Sequence, residues 1–379
     1  MDSIAPQGFQ PSFGGLRPAT GTSFALIGQL PVLFSEHAQE LFELNDVAAF
    51  IWCSMQDAVS LEAICDQLID RGLSATGARQ SLRDALNQWL SAGLLVPHID
   101  AADFAFTTLI GRRPLEVRAS DAGVLDLLKS LFISTTVPAG KTEATFTVHR
   151  FGDSSIVMHD GRMVLHCAVR ELAPSFRAYA IKHLLLAADA RDVIFHAAAV
   201  TSGDRGMLIS APPGAGKSTI TMHLLHAGFR FATDDIVFIA PDGSIRGAPF
   251  APTLKSGAWP LIRAFRPDLI SIPSHDRFDG NAVRYLDVGS SLHEGAIRAS
   301  WIIYLERTTR CAQPVLAELS ALETLKRIVG ASYASDGKLT GDGFGMLKNM
   351  VSHTRSFVLR YTEAAEAVDK LMELCDGKL

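Results

Sequence analysis

The chain has 379 residues, a formal net charge of −5 and 48% apolar side chains, room for two or three domains with ample material for packed cores. The acidic balance and the lack of a long basic run argue against bulk nucleic-acid binding. Five widely spaced cysteines without a Cys-x-x-Cys pair suggest neither a disulfide framework nor a zinc site, so a reducing, cytoplasmic setting fits best. The longest uncharged run, residues 18–35, is interrupted by Gly21, Gly28, Gln29 and Pro31 and is too polar for a membrane span. The first residues lack the basic and apolar regions of a secretory signal.

Residues 1–22, rich in Gly, Pro and Ser, read as a loose leader or an edge strand. Residues 24–34 read as two short strands around a turn. Asn45-Asp46 opens a helix with Val47, Phe50 and Ile51 on one side. Ser60 caps a second helix, with Leu61, Ile64, Cys65 and Leu68 at helical spacing. A third helix carries Leu82, Ala85, Leu86, Trp89 and Leu90 and stops at Gly93, and Leu94-Leu95-Val96 closes the unit. Two strands and three helices over this length have the size of a winged-helix domain. Through Phe42-Glu-Leu-Asn45, Ala49-Phe-Ile-Trp52, Leu61-Glu-Ala-Ile64 and Trp89-Leu-Ser-Ala-Gly-Leu-Leu95, residues 24–97 resemble the PqqD-like peptide-recognition domains of clusters that make ribosomal peptide natural products. The resemblance implies a domain over residues 1–100 in which a precursor's leader peptide adds as a strand to the small sheet beside a helix. Winged-helix dimerisation and DNA contact are the other readings, and the charge balance speaks against the last.

Further along, apolar and polar residues alternate over 104–117 and again over 145–166, with Asp160-Gly161 as a hairpin signal. An antiparallel sheet is expected there. Residues 178–188 read as a helix, with Tyr179, Leu184, Leu185 and Leu186 available for packing, and residues 193–201 as a strand. His196, inside that apolar run, reads either as a core histidine with one hydrogen bond or as a group near phosphates.

The apolar segment 206–210 reads as a buried strand and residues 218–226 as a helix; between them runs Ala211-Pro-Pro-Gly-Ala-Gly-Lys-Ser-Thr219. Strand, Gly-rich turn and helix are the context of a phosphate-gripping loop. Pro213, Gly214, Ala215, Gly216, Lys217, Ser218 and Thr219 are therefore the expected nucleotide-binding set. Backbone N–H groups of the turn and the helix start face the phosphates, Lys217 reaches the β/γ-phosphates and the Ser218 hydroxyl ligates Mg²⁺. Ala211 stands where the common pattern has its first glycine; alanine tolerates positive φ poorly, so a differently shaped loop start is expected. A strand then runs up to Thr233, and Asp234 and Asp235 follow, sixteen and seventeen residues after Ser218. One helix and one turn use up that distance, which returns the carboxylates beside the loop at the carboxyl ends of neighbouring strands. One carboxylate then faces Mg²⁺ and the other an incoming hydroxyl; a solvated Asp-Asp turn is the plain alternative.

In their order, His196-Ala-Ala-Ala-Val200, the 206–219 segment, Gly228-Phe-Arg-Phe-Ala-Thr-Asp-Asp-Ile-Val237 and Pro249-Phe-Ala-Pro-Thr-Leu-Lys255 resemble the HPr-kinase-like branch of P-loop phosphotransferases. Trp301-Ile-Ile-Tyr-Leu305 and Leu319-Ser-Ala-Leu-Glu-Thr-Leu325 resemble its late strand and helix. The resemblance implies an α/β fold: a P-loop core over 191–379 preceded by a β-rich part over 101–190, together a kinase domain of residues 101–379. It implies ATP and Mg²⁺, with Asp234 as general base for the acceptor hydroxyl, Asp235 and Ser218 on the metal, His196 by the γ-phosphate and Lys255 as an extra cation. Arg277 and Arg284 are poorer candidates. The two resemblances together imply a tailoring kinase that phosphorylates a serine of a ribosomally made precursor peptide, as in lasso-peptide clusters. A small-molecule kinase and a nucleotide-binding scaffold without turnover are the alternatives. No nucleic-acid or membrane partner is expected, and a homo-oligomer is possible in such a family.

Overall fold

Three short polar side chains set where the first helices begin. In a computed structural model, Asn45, Ser60 and Ser74 each accept a hydrogen bond from a backbone N–H of the helix they precede, at 2.8, 3.2 and 3.0 Å. The structure describes residues 16–97, 104–110, 113–133, 142, 144–151, 154–160, 162–186, 192–277, 279–293, 295–309, 311–333 and 337–378. Two compact units divide the chain, one of Met1–Phe104, Arg118–Asp121 and Phe146–His166, the other of Ala105–Val117, Ala122–Thr145 and Cys167–Leu379.

In the first unit the helices Asp46–Gln56, Leu61–Asp70 and Ala75–Ser91 lie where apolar spacing put them. Trp52 and Trp89 meet edge to face in its core, ring centroids 5.0 Å apart at 87°, a geometry worth about 0.5–1.5 kcal/mol beyond the area it buries. The small sheet has three antiparallel strands rather than the expected two: Thr22–Ile27, Leu30–Ser35 and Glu40–Glu43. The third is four residues long and mostly exposed, so no apolar run announces it. Leu16–Pro18 pairs with Leu95–Pro97, which makes part of the expected leader an edge strand; residues 1–15 lie outside the described residues. The 145–166 alternation yields a hairpin of Ala144–Phe151 and Ser154–His159. Asp160 turns the chain with a φ of 46°, and Gly161 lies outside the described residues. Ile156 and Met158 of this hairpin share a core with Trp52 and Trp89.

The second unit is a mixed α/β structure around a ten-stranded sheet. Its central strands are Ala198–Ser202, Arg205–Ser210 and Ile297–Arg307, with Arg355–Tyr361 also paired to the last. Alternation along these strands sorts the core into two faces. Met207, Ile209, Ile303, Leu305, Phe357 and Leu359 pack with residues of the helices Lys217–His226 and Ala364–Cys375. Leu208, Ile302, Tyr304 and Val358 pack with residues of Ala321–Val329 and Gly341–Ser352. The helix expected over 178–188 runs from Val169 to Leu186. Pro174 inside it removes one N–H, which hides the first turns from a pattern reading.

Two expectations about strands change. The stretch 193–201 is not one strand. Val193–Phe195 pairs with Val237–Ile239 while Ala198–Ser202 pairs with Arg205–Ser210. The chain changes neighbours at His196, whose N–H donates to the Ala331 carbonyl. The strand Arg230–Thr233 is also not a neighbour of the loop strand. Ala198–Ser202 lies between them, antiparallel to both. Two strands antiparallel to a common neighbour are parallel to each other, so their carboxyl ends still fall on one side of the sheet.

Candidate functional site

The loop leaves the sheet at the buried end of Arg205–Ser210 and enters the helix Lys217–His226. Gly214 and Gly216 take φ values of 83° and 93°, and Ala215 between them does not. Alternation of left-handed and ordinary residues turns successive N–H groups toward one concavity, and the helix N-terminus behind adds its partial positive charge. Ala211 is absent from the positive-φ residues and packs against the core, so the alanine requires no reshaping of the loop start.

Asp234 and Asp235 stand beside this loop, pointed differently, as adjacent residues at a strand end do. Asp234 is 3% exposed. Its Oδ2 accepts from the Ser218 hydroxyl at 3.4 Å and from the Thr253 N–H at 2.9 Å, and its Oδ1 has no hydrogen-bond partner among the described residues. The Asp235 side chain is 30% exposed and gathers three cationic or polar nitrogens: Lys217 Nζ at 3.7 Å and His196 Nδ1 at 3.2 Å on Oδ1, and an Arg177 nitrogen at 3.5 Å on Oδ2. A second Arg177 nitrogen lies 3.7 Å from Asp234 Oδ1. Burial pushes the Asp234 carboxyl up from its ordinary range against the pull of Arg177. For Asp235 burial works in the same direction, but Arg177, Lys217 and His196 together outweigh it and hold the group below that range.

His196 is not a core histidine: its side chain is 51% exposed. Its Nε2 is 3.3 Å from Lys217 Nζ, an ammonium that only donates. With that ammonium as donor the ring accepts at Nε2 and is neutral, and its Nδ1 stands in close polar contact with Asp235 Oδ1. Burial and the Lys217 charge both lower the His196 pKa, in keeping with that form. Burial also lowers the Lys217 pKa, with the two aspartates opposing.

Loop, aspartates and His196 line one cavity of about 550 Å³. Its walls carry five basic side chains, Arg177, Lys217, Lys255, Arg277 and Arg307, against the two carboxylates, in a chain whose net charge is −5. That excess suits a polyanion. Lys255 ends the strand Thr253–Lys255 and is exposed to this space. Arg277 lines it too while pairing with Asp279 at 3.3 Å. Arg284 is employed elsewhere, its guanidinium 4.2 Å above the Trp259 ring and donating to the Leu269 carbonyl. Pattern reading missed Arg177, Thr253, Arg307 and Tyr361. Arg177 sits mid-helix with nothing in its sequence neighbourhood to mark it. Tyr361 donates from its hydroxyl to the Ala215 carbonyl at 2.6 Å across 146 residues.

The donor set fits a magnesium–triphosphate group: a loop concavity and helix start for phosphate oxygens, a lysine beside them, and a hydroxyl and carboxylate 3.4 Å apart with a buried carboxylate oxygen that accepts no hydrogen bond among the described residues.

Residues 32–95 match the family model of coenzyme PQQ synthesis protein D, PqqD. This stretch is a PqqD domain. It spans the three helices Asp46–Gln56, Leu61–Asp70 and Ala75–Ser91, the strand Glu40–Glu43 and most of Leu30–Ser35. Among solved structures, TbiB1 in complex with the TbiA(beta) leader peptide is similar to 22% of this chain over 98% of its own length, at 23% identity and a TM-score of 0.21. The Hpr(Ser) kinase/phosphatase from Coxiella burnetii is similar to 48% of this chain over 98% of its own, at 11% identity and a TM-score of 0.24. No curated protein is detectably similar to the chain.

Proposed function

We propose that this protein is a Mg²⁺-dependent kinase that transfers the γ-phosphoryl group of ATP to a serine hydroxyl of a ribosomally made precursor peptide, whose leader the PqqD domain holds. The observation that carries the reading is the convergence of Lys217, Ser218, Asp234 and Asp235 on one cation-rich cavity. Bound magnesium supplies charge neutralisation to the phosphates. Ser218 and Asp234 are the residues to hold it, since their oxygens lie within 3.4 Å of each other and Asp234 is shut away from solvent. Asp235 is the more open carboxylate, and its low pKa keeps it ionised at neutral pH. In this reading it orients the acceptor O–H and takes its proton as the oxygen bonds to phosphorus and the bond to ADP breaks. The roles expected for the two aspartates thus exchange. Neutral His196 packs its Nδ1 against the Asp235 carboxylate, and Lys217 neutralises phosphate charge. Lys255 serves the acceptor side.

Leader capture is supported by the small sheet of the first unit, where Thr22–Ile27, just before the PqqD stretch, is an edge strand among the described residues. Leu26 is 64% and Ile27 54% exposed there. Among the described residues nothing pairs with this apolar edge, and such an edge takes an added peptide strand. The deciding experiment incubates the full chain with ATP, Mg²⁺ and candidate precursor peptides and follows peptide mass. Serine phosphorylation is expected; turnover only on free small alcohols would move the assignment to a small-molecule kinase, and nucleotide binding without turnover to a scaffold.

A further inference from the structure

We propose that Tyr361 is a positioning residue of the nucleotide site, which aims the Gly216 N–H at the phosphates by holding the Ala215 carbonyl from behind. The inference rests on the nucleotide-site reading above and deepens it. Tyr361 ends the strand Arg355–Tyr361, with only the Ile297–Arg307 strand between it and the strand that feeds the loop. Its side chain is 1% exposed, and its hydroxyl donates to the Ala215 carbonyl at 2.6 Å. In a trans peptide the C=O and the following N–H point in opposite directions. Pinning the Ala215 carbonyl into the protein therefore turns the Gly216 N–H outward, as an anion cradle requires.

Position 216 is constrained from the same side. Its φ of 93° disfavours any side chain, and a Cβ there would come within 2.6 Å of the Tyr361 hydroxyl oxygen. The tyrosine is itself fixed. The Thr308 N–H donates to its carbonyl at 2.8 Å, and the Thr362 hydroxyl bonds the carbonyls of Thr308 and Cys311 at 2.8 and 3.0 Å. Burial pushes the phenol pKa up to about 12, so the hydroxyl stays a donor throughout the working pH range. Nothing in this arrangement brings Tyr361 to the reacting atoms; it acts through the loop.

Tyr361→Phe keeps the ring in its packed place and removes only the hydroxyl. Calorimetric titration of the full chain with ADP and Mg²⁺ is expected to show about tenfold weaker binding, the scale of one lost hydrogen bond that leaves a carbonyl unpaired. Nucleotide KM should rise with kcat at saturation and peptide KM unchanged. Because the hydroxyl acts through residue 216, adding Y361F to Gly216→Ala should cost little further affinity. A folded Y361F that binds ADP as the wild type does, or full additivity of the two changes, overturns the proposal. A wild-type chain that binds no nucleotide overturns the nucleotide-site reading instead. Should Y361F fold poorly, Thr362→Val loosens the same anchor and is expected to weaken ADP binding in the same direction; unchanged binding counts against the proposal.

Discussion

The Ser218 hydroxyl lies 3.4 Å from Asp234 Oδ2, although the two are sixteen positions apart in sequence, with most of a helix and a buried strand between them. That one approach converts a Gly-Lys-Ser string and an Asp-Asp pair into a single site, and the two carboxylates it separates should be distinguishable by experiment. Asp235→Asn is expected to retain nucleotide binding and lose about 100- to 10,000-fold in turnover, the range of a missing general base. Asp234→Asn is expected to raise the Mg²⁺ concentration needed for half-maximal activity. Magnesium titrations of both variants check the assignment, and the opposite pattern would restore Asp234 as the base.

Lys217→Ala should weaken nucleotide binding about tenfold to a hundredfold, the scale of charge-assisted contacts. Calorimetry on the folded variant reads this directly, and wild-type affinity would remove Lys217 from the phosphate site.

Arg177 is buried between two carboxylates, 3.5 and 3.7 Å from them. Arg177→Met leaves two adjacent negative charges without their buried counterion, a change that costs about 3–5 kcal/mol. The loss should be largest at neutral pH and shrink as the carboxylates protonate on acidification. Denaturant unfolding at pH 7 and pH 5 tests the sign; a deficit that grows on acidification contradicts it.

In the first unit, burial holds the His149 pKa at about 4, below the ordinary 6.5. A histidine kept neutral by the fold stabilises fully above the unfolded value, and that contribution falls as pH drops from 6.5 toward 4, by about 3 kcal/mol at most. Asp235, also depressed, adds a loss below the ordinary carboxylate range. His149→Leu should flatten the upper part of the stability profile, measured by urea unfolding across that window.

Peptide capture is best tested by substitution. Removing residues 1–97 would strip Ile156 and Met158 of the core they share with Trp52 and Trp89, so a failed truncation would speak of folding. Leu26→Asp, at a position 64% exposed, leaves the core alone. It is expected to raise KM for the precursor with kcat and melting temperature unchanged. An unchanged KM would move leader binding away from this edge.

What the chain alone determined lies in features whose partners are close in sequence. Asn45 and Ser60 cap the helices that follow them by accepting from an N–H three residues on, apolar spacing marked the helices they start, and Gly214 and Gly216 with Lys217 and Ser218 marked the loop. The break at His196 and the strand inserted between the loop strand and Arg230–Thr233 were not legible, because pairing chooses neighbours by burial over the whole sheet and alternation fits several partners equally. Tertiary structure alone decided Arg177, which reaches Asp235 across 58 residues, and Tyr361, which reaches Ala215 across 146. Neither leaves a local pattern, since a side chain that completes a site from a distant element is selected by where packing delivers it, and only the folded sheet with its helices sets that place.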